Sequence, residues 1–423
     1  MLAAMSPSLA APEPARESAG RGRDDGCPGA LRLHAADDGA LARVRIPGGL
    51  LTAEQARALA AAADDLGDGA LEATSRGNVQ LRGLAADAGA ELAARLTEAA
   101  LLPSLSHDRV RNIVATPLAG LDGGIDLRPW IRELDALLCA SETARALSGR
   151  FLFALDDGRG DVAALDADLT LIARPDGSAL LRLGRADWCA GTTDGPRAAL
   201  RAAEAFLELA DGAWRVREAD PDGTRLATRL GLTRRPLPEL TGRRPVVGAQ
   251  AGALGAGLRF GRATAEQWRA LADAATTAGS ELRVTPWRTV VLPGADPAVL
   301  PRLAALGLRT DPRSPWEGAT ACTGAPGCAK SLADVRADAT GALDGGAAAG
   351  GELLPAGGTT AGGELLPVHW SGCPRRCGHP TGAWVDVLAT GPSGYLISQP
   401  TGSTTEVTTQ QMAAAVAAAR RTP

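Results

Sequence analysis

The chain has 423 residues, of which 45% are hydrophobic and 3% aromatic, and its formal net charge is -4. This length suggests about three domains with aliphatic cores, and the near balance of charge gives no case for binding nucleic acid. The sequence contains no run of about 18 apolar residues without charges, so it predicts no membrane-spanning segment.

Residues 1–26 are expected to form a disordered tail. They are rich in Ala, Pro and Ser, and they lack the basic start and long apolar run of a secretory signal peptide. Because disulfides form in oxidising compartments, this composition favours a cytoplasmic protein whose cysteines are reduced.

An internal repeat organises the chain after this tail. The tetrapeptide TAEQ at residues 52–55 recurs at residues 264–267, and each copy predicts a capping box that opens an Ala-rich helix. The stretch TSRGNVQLRG at residues 74–83 is likewise matched by TPWRTVVLPG at residues 285–294. Two matched segments at nearly the same offset indicate a duplicated α+β unit.

Strand-like stretches at residues 41–46 and 258–260 precede the two repeated helices. The hexapeptide GGELLP occurs twice, at residues 350–355 and 362–367, and we expect a solvated surface loop there. After the tail we predict four domains, divided as residues 27–95, 105–240, 245–310 and 315–423.

Four of the seven cysteines form two close pairs, Cys322 with Cys328 and Cys373 with Cys377. Four thiolates from two short loops are what an iron–sulfur cluster needs, and the flanking Gly, Pro and Ala leave room for one. A zinc site or unligated thiols are the alternatives, although structural zinc more often uses closer Cys-x2-Cys pairs. The three isolated cysteines are expected to be buried or incidental thiols: Cys27, Cys139 and Cys189.

These motifs together resemble the sirohaem-type nitrite/sulfite reductase superfamily. The resemblance rests on RVRIPGG at residues 43–49, TSRGNVQLRG at residues 74–83, and Cys-x5-Cys followed by CPRRCG. It implies an α+β fold in which ferredoxin-like half-domains (residues 27–95 and 245–310) are duplicated about a pseudo-twofold axis. Each half would be followed by a larger α/β domain, and the second would hold a 4Fe–4S cluster on the four paired cysteines. In that family the last cysteine, here Cys377, bridges the cluster to the sirohaem iron.

Three arginines fall on family positions that handle a tetrapyrrole with many carboxylates and its substrate: Arg45, Arg76 and Arg111. Arginine pairs with carboxylates through two parallel hydrogen bonds, although each could instead be an ordinary surface or strand residue. Where the reductases carry two substrate-binding lysines, this chain has Arg150 and Leu152. A cationic cage for sulfite or nitrite is therefore weakened.

Further segments resemble one branch of the family, the precorrin-3B synthases, at residues 27–34, 151–162, 283–294 and 369–380. That branch oxidises a tetrapyrrole, precorrin-3A, in oxygen-dependent cobalamin synthesis, by hydroxylation and γ-lactone formation. The resemblance thus implies dioxygen and an electron donor, either NADH-linked or of the ferredoxin type, as partners.

The same branch implies a mononuclear non-haem iron that the sequence does not place. Its candidate ligands are two histidines and nearby carboxylates: His369, His379, Asp156, Asp157 and Asp161. For His379 a hydrogen bond to a cluster sulfur or a tetrapyrrole carboxylate is the alternative role, and Asp156 and Asp157 could simply form a turn.

The resemblance therefore implies an oxidoreductase, a monooxygenase of corrin synthesis, and the composition favours a cytoplasmic protein. A sirohaem-dependent nitrite or sulfite reductase is the first alternative, and a non-catalytic 4Fe–4S electron carrier is the second.

Overall fold

The computed structural model of the chain describes residues 25–240, 242, 244–250, 252–348, 359–360 and 363–421. Nearly all of the predicted tail and the first GGELLP copy lie outside these residues. None of the described helices is both long and apolar enough to span a membrane.

The first repeat forms a small α+β unit. Its elements are β1 (His34–Ala36), β2 (Gly39–Val44), β3 (Leu50–Leu51), α1 (Ala53–Leu66), β4 (Ala70–Ala73), β5 (Val79–Leu84) and α2 (Gly89–Glu98). Helix α1 begins at the predicted capping box, in which Thr52 Oγ1 accepts from Gln55 N at 3.2 Å and Gln55 Oε1 accepts from Thr52 N at 3.0 Å.

A larger mixed domain follows. Its elements are β6 (Ile113–Ala115), α3 (Arg128–Ala140), β7 (Phe153–Asp156), β8 (Leu169–Ala173), β9 (Ala179–Leu183), β10 (Trp188–Thr192), α4 (Gly195–Leu209), α5 (Val216–Ala219), α6 (Thr224–Leu230) and β11 (Arg234–Pro236). The strand order is β11-β10-β9-β8-β7-β6, with β6, β7 and β8 parallel and the others antiparallel. Helix α4 packs on this sheet and against α3.

The second repeat reproduces the first. Its elements are β12 (Gly248–Gln250), β13 (Ala253–Gly257), β14 (Arg262–Thr264), α7 (Ala265–Thr277), β15 (Leu282–Val284), β16 (Thr289–Pro293) and α8 (Leu300–Ala305). Helix α7 begins at the second predicted capping box, formed by Thr264 and Gln267. The prediction of a strand at residues 258–260 is wrong: β13 ends at Gly257, and the chain makes a 3-10 turn in which Phe260 has a φ of 51°.

The C-terminal domain contains the cysteine pairs. Its elements are β17 (Ala319–Ala321), α9 (Val335–Ala348), β18 (Thr359–Thr360), β19 (Gly363–Glu364), β20 (Val368–Ser371), β21 (Val385–Ala389), β22 (Gly394–Ser398), β23 (Thr404–Thr408) and α10 (Met412–Arg421). Its main sheet has the order β17-β20-β21-β22-β23, in which β17, β20 and β21 are parallel.

The two repeats exchange strands. Strand β14 of the second repeat pairs with β4 of the first, and β3 of the first repeat pairs with β15 of the second. Helices α1 and α7 pack together, and apolar side chains of both repeats share one core. This reciprocal exchange gives the predicted pseudo-twofold arrangement, with a larger α/β domain after each half, so the expected α+β architecture is confirmed.

Candidate functional site

The two cysteine loops leave the same edge of the C-terminal sheet. Strands β17 and β20 are adjacent and parallel, with Ala321 opposite Trp370. Cys322 therefore follows one strand directly, and Cys373 lies two residues beyond the end of the other. The carboxyl ends of parallel strands meet at one edge, so this topology brings together two cysteine pairs that are distant in sequence.

Backbone contacts fix the two loops against each other. Gly372 N donates to Cys322 Sγ at 3.3 Å, and Leu332 N donates to Gly372 O at 2.8 Å. A side chain at position 372 is excluded, because a Cβ there would lie 1.7 Å from Ser331 Oγ. The glycine before Cys373 is thus required by the close approach of the loop that carries Cys328.

Burial raises the pKa of the Cys322 thiol, and the nearby charges of Cys373 and Cys377 raise it further. The N–H donors of Gly372 and Gly324 lower this pKa but do not cancel the rise. Across the described part of the chain, no three His, Cys, Asp or Glu side chains are gathered closely enough to hold a metal ion. A four-iron core spreads its thiolate ligands further apart than a single ion does, so this all-cysteine donor set fits a cluster better than zinc.

Both candidate histidines contact Trp384. The His369 ring, fully buried on β20, meets Trp384 edge-on at 5.8 Å, whereas His379 stacks on the same indole at 5.2 Å. His369 Nδ1 lies 2.8 Å from Thr320 Oγ1, and its buried Nε2 has no protein partner. Burial, followed by the charges of Arg288 and His379, lowers the pKa of His369 to about 3, so this ring is neutral.

The candidate carboxylates belong to the middle domain. Asp156 is fully buried and accepts backbone N–H bonds from Gly158, Gly160 and Ala163 at 2.8–2.9 Å, so it organises the turn after β7. Asp161 accepts from Thr116 Oγ1 at 2.7 Å, and burial raises its pKa to about 7. The mononuclear iron that the resemblance implies stays a prediction: among the described residues no three His, Cys, Asp or Glu side chains are gathered closely enough to hold a metal ion.

Three of the four predicted arginines line one pocket of about 330 Å³. We call it the arginine pocket; it is lined by Cys27, Arg43, Arg45, Thr74, Ser75, Arg76, Asn78, Arg150, Arg215, Arg217 and Glu218. Six guanidinium groups around so small a volume make it suited to anionic groups.

Arg45 and Arg76 converge on one backbone carbonyl. Arg45 Nη2 and Arg76 Nη1 donate to Gly149 O at 3.3 and 3.4 Å. Arg45 is 2% exposed, and its buried Nη1 has no protein partner. Burial lowers the pKa of both guanidinium groups to about 10, so both stay charged at neutral pH. Arg150 lies over the Trp214 ring, 4.6 Å from its centroid.

Arg111 lies outside the arginine pocket. Its guanidinium donates twice to Asp135, at 2.7 and 2.8 Å, and once to Leu101 O at 2.9 Å. It lines a neighbouring cavity of about 260 Å³ that Arg45 also borders. The structure therefore brings Arg45, Arg76 and Arg150 together in the arginine pocket, whereas Arg111 shares only the neighbouring cavity with Arg45.

A cavity of about 1190 Å³ lies between the second repeat and the cysteine loops. Gly378 and His379, which follow Cys377, form part of its wall, and Ser75 lines both this large cavity and the arginine pocket. The space is large enough for a macrocycle, with the residues that follow Cys377 in its wall and Ser75 shared with the arginine pocket.

Two side chains of the large cavity were missed by the sequence reasoning: Trp287 and Arg288. Arg288 reaches the cysteine loop, since a Cβ on Gly378 would lie 3.7 Å from its Nη2. The signal was available in the repeat, because residues 285–289 occupy the turn equivalent to residues 74–78, which carries Arg76.

Comparisons with known proteins match the duplicated fold. The model of the nitrite/sulfite reductase ferredoxin-like half domain matches residues 34–99 and 248–307. A ferredoxin–nitrite reductase of Synechococcus elongatus is 31% identical over 82% of this chain and 76% of its own length. A precorrin-3B synthase of a Sinorhizobium species is 30% identical over 88% of this chain and 82% of its own length.

Among solved structures, the NirA protein of Mycobacterium tuberculosis has the same fold. The TM-score is 0.68, with 20% identity over 89% of this chain and 79% of that one. With two relatives at or above 30% identity over most of their lengths, the chain belongs to the nitrite/sulfite reductase family.

Proposed function

We propose that the protein is a precorrin-3B synthase, an oxygen-dependent enzyme that hydroxylates precorrin-3A and closes a γ-lactone in cobalamin synthesis. The similarity to a precorrin-3B synthase supports this function, but ferredoxin–nitrite reductases are as similar. The observation that carries the proposal is the position of Leu152.

Leu152 is 4% exposed and belongs to an apolar cluster with Val114 and Ala154. Leu165 and Trp287, which pack against this cluster, line the large cavity. An apolar side chain cannot offset the charge of a buried nitrite or sulfite, and burying an unpaired anion is costly. Leu152 does not itself line the large cavity but lies in the cluster behind Leu165 and Trp287, and the apolar wall that these two form is compatible with dioxygen and with the face of a large ring.

The four paired cysteines would hold a 4Fe–4S cluster: Cys322, Cys328, Cys373 and Cys377. When bound, the cluster supplies single electrons to the reaction. The Gly372 N–H group, 3.3 Å from Cys322 Sγ, stabilises negative charge on that sulfur. The tight contact between Gly372 and Ser331 holds the two loops at a fixed separation.

The arginine pocket would bind carboxylate arms of the substrate. Arg45 and Arg76 already share Gly149 O, which fixes the two guanidinium groups relative to each other, and Arg45 Nη1 is free to donate. Arg111, held by Asp135, would support this arrangement from the neighbouring cavity. Fixed charge-assisted bonds of this kind orient a flexible substrate before reaction.

The proposed reaction balances with two electrons from an external donor, NADH-linked or of the ferredoxin type. One atom of dioxygen becomes the new hydroxyl group, and the other leaves as water with two protons. The carbon that takes the oxygen atom and its neighbour lose the π bond between them: the neighbour forms the lactone C–O bond with the carboxyl group of a ring acetate, and the proton of that carboxyl group passes to the new hydroxyl oxygen. The product is therefore heavier than precorrin-3A by one oxygen atom, about 16 mass units.

The test is to incubate the anaerobically purified protein and a reductant with precorrin-3A, with nitrite and with sulfite, each with and without dioxygen. We expect precorrin-3A to be converted only with dioxygen, and nitrite and sulfite to be reduced slowly or not at all. Brisk anaerobic nitrite or sulfite reduction, with precorrin-3A unchanged in air, would refute the proposal.

That opposite result would support the second candidate, a sirohaem-dependent nitrite or sulfite reductase. The nitrite reductase relative and Arg150, a cation at a substrate-binding position, favour it. An absorption spectrum separates the two, since sirohaem bands would accompany the reductase and a broad cluster shoulder alone the synthase. No turnover of any substrate would point instead to an electron carrier.

A further inference from the structure

The segment from residue 25 to residue 31, which we call the N-terminal strap, crosses the arginine pocket. Arg109 Nη1 donates to Asp25 O at 3.0 Å, and Ala30 N donates to a carboxylate oxygen of Asp108 at 2.6 Å. Arg43 N also donates to Gly29 O at 3.2 Å. The strap is therefore anchored at both ends and brings Asp25 against the residues that shape the pocket.

The side chain of Asp25 is 7% exposed, and its carboxylate is surrounded by donors. Its Oδ2 accepts from Ser148 Oγ at 2.7 Å and from Gly149 N at 2.6 Å, while Oδ1 accepts from Cys27 N at 3.1 Å. Arg150 Nε lies 3.8 Å from Oδ1. Burial by itself would raise the pKa of Asp25, but these hydrogen bonds hold it below its usual value, so the group is an anion.

Most guanidinium groups of the pocket have no other carboxylate partner. Among the described residues, no carboxylate forms a salt bridge with Arg43, Arg45 or Arg76, whereas Arg215 and Arg217 pair with Asp168 and Asp166. Asp25 also interacts electrostatically with Arg43.

Glu218 also lines the pocket, but its Oε2 accepts from Trp214 N at 2.9 Å. Asp25 thus provides negative charge on the side of the pocket where carboxylate partners are few.

We propose that Asp25 is a built-in counter-ion whose negative charge, held beside Gly149 and Arg150, keeps free inorganic anions out of the arginine pocket. A tethered carboxylate has an effective concentration on the order of millimolar or higher, so a free anion must compete with it. Larger substrates can still contact other guanidinium groups that line the pocket, among them Arg76. The inference rests on the proposed function in that the pocket accepts substrate carboxylates, and it names the residue that makes it selective.

The test measures sulfite and sulfate binding by calorimetry to the full-length, cluster-containing protein and to Asp25→Asn. Asn keeps the shape and one acceptor but removes the charge. We expect the variant to bind either anion about ten-fold or more tightly than the wild type, because a charge-assisted bond becomes available. Adding Arg150→Ala should cancel the gain.

Glu218→Gln is the matched control. It removes one negative charge from the same pocket and keeps an acceptor for Trp214 N. Equal anion affinity in this variant and in Asp25→Asn would overturn the proposal, because general charge would then explain the effect. Unchanged anion affinity in Asp25→Asn would overturn it as well.

Asp25→Ser, which can also accept from Gly149 N, serves if the Asn variant does not fold. The wild-type protein provides a second, independent measurement. If it binds sulfite saturably and Arg150→Ala abolishes that binding, the proposal is refuted whatever the Asp25 variants do. If the wild type shows no such binding, the proposal is supported. The proposed function is tested separately by precorrin-3A turnover. A gain in sulfite affinity in Asp25→Asn without wild-type turnover would retain this inference and reject that function.

Discussion

The two repeats build the same turn and use it differently. In the first, Thr74 N donates to Asn78 O at 2.8 Å; in the second, Thr285 N donates to Thr289 O at 2.9 Å. The fourth residue of each turn has a left-handed backbone, with a φ of 68° at Gly77 and 60° at Arg288. The duplication has therefore preserved backbone geometry down to individual hydrogen bonds.

The side chains on these two turns have diverged. The first turn places Arg76 in the arginine pocket, whereas the second places Trp287 and Arg288 in the wall of the large cavity beside the cysteine loops. Strand exchange links the turns, because the strands that flank them pair with strands of the opposite repeat. The exchanged strands thus connect a turn that lines the arginine pocket with a turn that lines the large cavity.

The largest effect is expected on the cysteine side. Cys377→Ser should remove the cluster and all activity, because a hydroxyl group is a poor ligand for a soft metal. Iron and sulfide analysis with visible absorption measures the loss. The same change at Cys139 or Cys189 should leave the iron content unchanged, and four irons per chain surviving in Cys377→Ser would reject the ligand assignment.

On the arginine side, Arg76→Ala should weaken tetrapyrrole binding by about ten-fold to about a hundred-fold, since a charge-assisted hydrogen bond contributes roughly 1.5–3 kcal/mol. Fluorescence or calorimetric titration with precorrin-3A measures it. Iron content should not change, which distinguishes this turn from the cysteine loops. Full affinity in this variant would make Arg76 a structural residue.

The left-handed positions sharpen the comparison. Gly77→Ala should lower the free energy of unfolding by about 1–2 kcal/mol, because a Cβ is strained in this conformation and would lie 3.1 Å from Val284 O. Arg288→Gly removes a side chain from the same conformation and should change stability by less than about 1 kcal/mol. Urea unfolding measures the free energy of unfolding of both variants. If both variants lost the same amount, the side chain of Arg288 would not be strained in its turn, and the two turns would differ in strain.

The smallest effects concern the two capping boxes. Thr52→Ala and Thr264→Ala each remove an acceptor for the first turn of a helix and should each cost about 1 kcal/mol. The two losses should agree within experimental error if the repeats are equivalent in energy as well as shape. Unequal losses would locate where the duplicated units have diverged in stability.

Much of the scaffold was predictable because its signals are local. A Thr followed three residues later by Gln predicts a capping box whatever surrounds it, and both boxes form. Residues 258–260 predict a strand, because their apolar and aromatic side chains match strand preferences, but they form a turn. Its actual form depends on a left-handed Phe260 packed between domains.

The sequence by itself determined the duplicated α+β unit, the capping boxes and the pairing of four cysteines on two short segments. Only the tertiary structure decided which arginines meet. Arg45, Arg76 and Arg150 line one pocket, whereas Arg111 pairs with Asp135. Asp25 lies next to Arg150 of the same pocket. The physical reason is that helix caps and close cysteine spacings depend on neighbours in sequence. Which charges meet depends instead on strand exchange and loop packing between segments far apart in the chain.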